Sequence, residues 1–320
     1  MNYKPILVVG GEPYSVFFEI FFKSIKNKKY KNSIILIASK KLLIKQMIKM
    51  NYKFTINEIN KDQINFKYLS KTKINLINVN FIFKKAFDKI TNRSNNYISQ
   101  SFKIALKLLK QNNYAGLING PISKKNFLNK YFLGITEYLA NNTKQKNVAM
   151  LIYNKKLSVS PLTTHLPIKD VHKKISKNKI IEHVQLINKF YKNRLKIKPK
   201  IAITGLNPHC ESNYSTSEET KYIKPAISYL VKKKFKVSGP YAADTIFLKD
   251  ISKKYDVIIG MYHDQVLAPA KTLFGFKSIN ITLGLPFIRI SPDHGPNTKM
   301  LGKNLSNPSS LIEALKFLSN

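Results

Sequence analysis

The chain has 320 residues, enough for one large domain or two ordinary ones with a full apolar core. Its single cysteine, Cys210, excludes an intrachain disulfide, and no stretch approaches the roughly 20 apolar residues needed to span a bilayer. A formal charge of +38 suggests nucleic acid at first, but only three of the 55 basic residues are arginine, the lysines are spread along the chain and glycine is scarce at 12. That pattern reads as AT-rich coding rather than a phosphate-binding surface, so no nucleic-acid partner is expected, although anionic small substrates would still be attracted.

Strand-like and helix-like stretches alternate from the start. ILVVGG (6–11) reads as a first strand; the run is too short for the apolar region of a signal peptide, and the expected location is the cytoplasm. EPYSVFFEIFFKSIKN (12–27) has the spacing of an amphipathic helix. SIILIAS (33–39) predicts a second strand, followed by a lysine-rich helix over 40–50. Residues 51–83 are mixed and predict short strands and loops. A helix over 94–111 would carry Ile98, Phe102, Ala105, Leu108 and Leu109 on one face. YAGLINGPISK (114–124) is a strand entering a turn, and 148–154 with 157–167 form a hairpin. A long helix is predicted over 168–191. KIAITGLNPH (200–209), DVIIG (256–260) and INITL (279–283) complete the strands, and SNPSSLIEALKFLSN ends the chain as a capped helix. The alternation predicts an α/β fold with a mostly parallel sheet, and the length suggests two lobes with a cleft.

Buried parallel strands open onto sites at their C-terminal ends. Four of the six histidines stand just after strand-like runs, namely His165, His209, His263 and His294. His172, followed by two lysines, reads as solvated, and His183 as a helix residue with no obvious partner. Three imidazoles without an acidic cluster suit a transition metal and leave positions open for substrate oxygens. Arg289 stands out in a chain where cations are nearly always lysine, and its planar fork suits a phosphate or carboxylate. Lys124 and Lys271 could add point charges for the same anion.

In order and spacing, GEPYSVFFEI, NGPISK, GITEYLA, THLPIKDV, GLNPHC, GPYAADTIF, YDVIIGMYHDQ and LGLPFIRISPDHG resemble the 4-hydroxythreonine-4-phosphate dehydrogenase family of vitamin B6 biosynthesis. The resemblance covers nearly the whole chain. It implies a two-lobed α/β/α fold like that of isocitrate and isopropylmalate dehydrogenases, with the active site in the interlobe cleft. On that reading residues 1–125 and 276–320 form the first lobe, carrying the NAD loop, and 126–275 the second, carrying the metal ligands and dimer interface. It further implies a homodimer with a shared active site, NAD or NADP as cofactor, and a divalent metal (zinc, manganese, cobalt or magnesium). By motif, His165, His209 and His263 correspond to the metal ligands. Lys271, Asn280, Arg289 and Thr136 correspond to substrate contacts, Asp244 in AADT lines the same cleft, and His294, Gly295 and Asn307 belong to the loop for the adenosine. The chain departs from the pattern at GITE, where the family has GHTE, so Ile135 replaces a histidine. It also lacks the family's glycines at 14–18 and 211–214, which predicts reshaped loops there.

Overall fold

The computed structural model describes residues 3–26, 29–128, 131–132, 134–210 and 215–319. They form an α/β fold in two compact units, residues 1–138 with 286–320 and residues 139–285.

In the first unit the strand order is β3 (Ile56–Glu58), β4 (Ile74–Asn78), β2 (Ile34–Ala38), β1 (Ile6–Val9), β5 (Gly116–Asn119) and β12 (Arg289–Ser291), each given its number in chain order. All five pairings are parallel. β1 and β5 are buried along their whole length, which is why both read as continuous apolar runs. The helices α1 (Phe17–Lys26), α2 (Lys40–Lys49), α3 (Asn95–Leu109) and α10 (Ser309–Ser319) belong to this unit, and α3 packs on β1, β2 and β5. α2 begins where Ser39 accepts from the Leu42 amide. The predicted α3 face is buried at Ile98, Phe102, Ala105, Leu108 and Leu109. α4 (Ile135–Asn142) starts in this unit.

In the second unit the order is β11 (Ile279–Leu283), β6 (Ala149–Tyr153), β7 (Ser158–Pro161), β10 (Val257–Gly260), β8 (Ile201–Thr204) and β9 (Val237–Tyr241). β6 and β7 form the expected hairpin, paired at Ile152 and Val159. β7, β10, β8 and β9 run parallel to one another. Its helices are α5 (Ile168–Val171), α6 (Lys177–Phe190), α7 (Lys224–Lys232), α8 (Lys249–Ser252) and α9 (His263–Phe274). Among the described residues no helix is long and apolar enough to cross a membrane.

Several expectations need correction. INITL, read as a parallel strand, is β11 and pairs antiparallel with β6 in register Ile281 to Leu151; apolar composition reports burial and not direction. The helix predicted over 168–191 is broken: a 3-10 turn at His172–Lys174 intervenes, and Ser176, extended at φ −147°, accepts from Lys179 N and starts α6 afresh. The helix predicted from residue 12 begins at Phe17, because the Glu12 amide donates to Pro121 O and Ser15 Oγ donates to Glu12 O. The strand predicted over 114–124 is confined to β5, and Lys124–Leu128 form a π-type turn. The reshaped loop expected at 211–214 lies outside the described residues.

Candidate active site

In the second unit, four adjacent parallel strands each end in a polar side chain. His165 follows β7, His263 follows β10, His209 follows β8 and Asp244 follows β9. Neighbouring strands lie about 4.8 Å apart, so residues nearly a hundred positions apart in sequence meet at one edge. The ring centroids of His165 and His263 are 5.8 Å apart. His209 Nε2 lies 3.8 Å from Asp244 Oδ2.

Hydrogen bonds at the strand ends hold this row. Thr163 Oγ1 donates to Met261 O at 2.7 Å, and Leu162 N donates to Gly260 O at 2.7 Å, which ties the His165 loop to the His263 loop. Gln265 Oε1 accepts from Met261 N (2.7 Å) and Thr204 Oγ1 (2.9 Å), and its Nε2 donates to Gly205 O (2.8 Å). One amide side chain thus joins the ends of β10 and β8. Buried Glu219 accepts from Leu206 N, Asn207 N and Asn207 Nδ2 at 2.8 to 2.9 Å, pinning the loop before His209. Burial pushes its carboxyl up, but these donors outweigh burial and hold it below the ordinary carboxylate range. His209 and Cys210 adopt φ of 56° and 58°, a left-handed backbone that non-glycine residues rarely take and that concentrates at working sites.

His263 Nδ1 lies 2.6 Å from Asp264 Oδ1. A carboxylate on one ring nitrogen orients the imidazole and presents the other nitrogen outward, as metal-binding histidines require. Among the described residues no three His, Cys, Asp or Glu side chains are gathered tightly enough to hold a metal ion. The paired imidazoles, with a third and a carboxylate on the next strand ends, nevertheless have the donor chemistry of a divalent transition-metal site. Of the other second-unit candidates, Lys271 is exposed on α9. Asn280, on β11, buries an Oδ1 that has no hydrogen-bond partner among the described residues, a position that a ligand donor would satisfy.

In the first unit Arg289 is fully buried at the start of β12. Its Nε donates to Asn119 Oδ1 at 2.7 Å and its Nη1 to Thr136 Oγ1 at 3.5 Å, so two of the sequence candidates meet. Desolvation pushes the guanidinium down to about 9, opposed by the charge of Glu137. Lys124 is exposed at the head of the π-type turn. Past β12, Asp293 N donates to Ser310 Oγ and Val16 N to Pro296 O, which anchor the DHGP loop on both sides of His294 and Gly295. A side chain built on Gly295 would meet nothing within 4 Å, so this loop faces open space. Asn307 is exposed, and its Oδ1 accepts from Ser309 N at the start of α10.

Sequence reading alone did not single out Asn119, Thr163, Glu219 or Gln265. Asn119 and Gln265 sit inside the NGPIS and MYHDQ motifs, so their neighbours carried a signal; Glu219 had none. His183, expected to lack a partner, shares a 2.7 Å hydrogen bond with Ser160 Oγ. It is a structural histidine that burial pushes down to about 3. His172 is exposed, as expected.

A profile described as Pyridoxal phosphate biosynthetic protein PdxA matches residues 30–318. A 4-hydroxythreonine-4-phosphate dehydrogenase of Sulfurihydrogenibium sp. (strain YO3AOP1) is 39% identical over 322 residues, covering 97% of this chain and 96% of that protein. A relative in Oceanobacillus iheyensis, provisionally named D-threonate 4-phosphate dehydrogenase, is 30% identical over 324 residues and covers 98% of this chain and 97% of its own length. The solved structure of 4-hydroxythreonine-4-phosphate dehydrogenase from Klebsiella pneumoniae superposes with a TM-score of 0.85 at 25% identity, covering 98% of each chain. With strand ends, motifs and matches running over nearly its whole length, the chain belongs to the PdxA family of pyridoxal phosphate biosynthetic proteins.

Proposed function

We propose that this dehydrogenase oxidises 4-phosphooxy-L-threonine (4-hydroxythreonine 4-phosphate) at its 3-hydroxyl, with NAD or NADP as acceptor. The resulting β-keto acid then loses CO2 to give 3-amino-2-oxopropyl phosphate, a step toward pyridoxal 5′-phosphate. The observation that carries the reading is the row of His165, His263, His209 and Asp244 at the ends of four adjacent parallel strands. The three imidazoles would hold a divalent cation, whether zinc, manganese, cobalt or magnesium. A cation there would polarise the substrate hydroxyl and the later carbonyl, and a nicotinamide would accept the hydride.

The remaining work falls to side chains. Arg289, fixed by Asn119 and Thr136, would hold an anionic substrate group from a fully buried position, where its charge acts most strongly. Lys271 and Lys124 would add point charges, and Asn280 would accept a hydrogen bond. Asp264 keeps the His263 ring in one orientation. His294, Gly295 and Asn307 would receive the adenosine. The reading includes a cytoplasmic homodimer with no nucleic-acid partner.

Ile135 favours one second reading. It heads α4, next to Thr136, and cannot form the hydrogen bond that a histidine would form there. A substrate lacking the matching group, such as a sugar-acid phosphate like D-threonate 4-phosphate, would lose less at this position. The test is NADH formation by metal-loaded protein with 4-phosphooxy-L-threonine beside a panel of sugar-acid phosphates. Turnover on the threonine compound, abolished by a chelator and restored by a divalent metal, is the expected result. His209→Ala should cut turnover by at least about a hundredfold while the fold survives. Near-normal turnover of that variant would sink the metal assignment, and turnover only on a sugar-acid phosphate would reassign the substrate.

A further inference from the structure

The first unit carries a groove at the N-terminal end of its sheet. Tyr3, Lys4 and Pro5 precede β1, Ser33 precedes β2 and Asn113 precedes β5, so their groove lies at the N-terminal ends of strands whose C-terminal ends carry Glu12 and Asn119. Its volume is about 390 Å³, within the range of small-molecule sites. Two aromatic residues, Tyr3 and Phe66, and four lysines, Lys4, Lys31, Lys67 and Lys71, line it, and no aspartate or glutamate does among the described residues.

The walls are braced. Lys4 O accepts from Asn32 Nδ2 at 2.7 Å, Lys4 Nζ donates to Asn112 O at 2.6 Å and Pro5 O accepts from Ala115 N at 2.9 Å. The Phe66 ring rests edge-on against Tyr114, with centroids 5.5 Å apart, and keeps a substantial part of its surface in solvent. Lys31 Nζ stands 5.9 Å from the Tyr3 ring centroid. A smaller cavity shares Ser33 and Lys71 in its lining, which also includes Ser70 and Thr72. Partly exposed aromatic rings offer stacking to a planar ring, while the lysines around the groove offer positive charge and donors to a phosphate.

We propose that this groove is a separate binding site for a planar aromatic ring that carries a phosphate. A nucleotide and a phosphorylated pyridine ring share that chemistry. The proposal does not depend on the assignment of the dehydrogenase site, which lies elsewhere.

The test is calorimetric titration of the full chain at low salt with adenosine 5′-monophosphate, pyridoxine 5′-phosphate, adenosine and inorganic phosphate. At least one ring phosphate should bind about tenfold or more tighter than adenosine or inorganic phosphate, and the arm that does so identifies the source. The exposed pair K67E/K71E should weaken that binding about tenfold or more, whereas K232E/K233E, an equal charge change on α7 and just after it, should leave it unchanged. F66A should bring the ring phosphate toward the level of inorganic phosphate. Dehydrogenase turnover of K67E/K71E should be unaltered. The proposal is overturned if no ring phosphate exceeds inorganic phosphate, or if both charge pairs weaken binding equally.

Discussion

Glu12 carries a carboxyl that folding keeps largely neutral up to about pH 7. Burial raises it from the ordinary 4.5 to about 7, with Ser94 Oγ, donating at 3.1 Å, pulling the other way. The second oxygen, Oε1, has no hydrogen-bond partner among the described residues. The unfolded chain ionises near 4.5 and the folded chain near 7, so stability is greatest below the lower value, falls as pH rises between them and levels off above. The loss is roughly 3 kcal/mol, from 1.36 kcal/mol per pH unit. Glu12→Gln keeps an acceptor for Ser94 and has no charge to bury. We expect it to be more stable than the parent at pH 8 by about 1 to 3 kcal/mol and indistinguishable near pH 4, read by urea denaturation; equal stability at both pH values would mean that the folded carboxyl ionises normally. His183 runs the other way: burial holds it neutral, so its contribution is lost as pH falls from 6.5 toward 3. At this scale the sequence was readable by rarity. An arginine among lysines stood out, but its partner Asn119 lies 170 positions away and only the sheet brings the two together.

Among elements, the readable part was burial and the unreadable part was direction. The apolar runs marked β1, β2, β8, β10 and β11 because a strand covered on both faces needs apolar side chains at every position. Nothing in INITL tells an antiparallel strand from a parallel one, since pairing is decided by the neighbour. β12 and β9 carry no such mark, because RIS is three residues long and VSGPY has little apolar content. The helix break at Ser176 had a signal, an N-cap serine before a new apolar period, which the longer pattern obscured. The strand ends matter most for function, and Gln265 joins two of them through three hydrogen bonds. Gln265→Ala should strand the Met261 amide and the Gly205 carbonyl at the ends of β10 and β8, costing about 2 kcal/mol of stability. If these strand ends place His263 and His209 for chemistry, turnover should fall by more than the stability loss explains, about tenfold or more under conditions where the variant is fully folded. A variant that loses stability but keeps full turnover would make Gln265 a fold residue only.

For the whole molecule the decisive number is the imbalance of 55 basic residues over 17 acidic ones. Lys23 pairs with the buried Glu19, but pairs such as Lys40 with Glu58 and Lys61 and Lys107 around Asp62 are exposed, and exposed pairs contribute little. Helix C-termini are well served, because lysines stand in the last turns of α1, α2, α3, α6, α7, α9 and α10 and meet the negative end of the dipole. The N-termini are not: α2, α3, α6, α7 and α10 have no acid in the first turn, and α2, α6 and α7 open on lysine. Unpaired like charges therefore strain the compact state, and salt should relieve the strain by shortening the range of repulsion from about 30 Å at 0.01 M to about 3 Å at 1 M. We expect the melting temperature of the full chain to climb by several degrees across that range, with most of the gain below about 0.15 M, where the screening length falls fastest. Sodium chloride and sodium sulfate at equal ionic strength separate two origins. Coincident curves in the dilute range mean diffuse repulsion, whereas a steeper rise with sulfate means discrete anion sites, for which the uncompensated helix N-termini and the lysine-lined groove are the places to look. A melting temperature that falls with chloride would show that attractive pairs outweigh the excess of like charge.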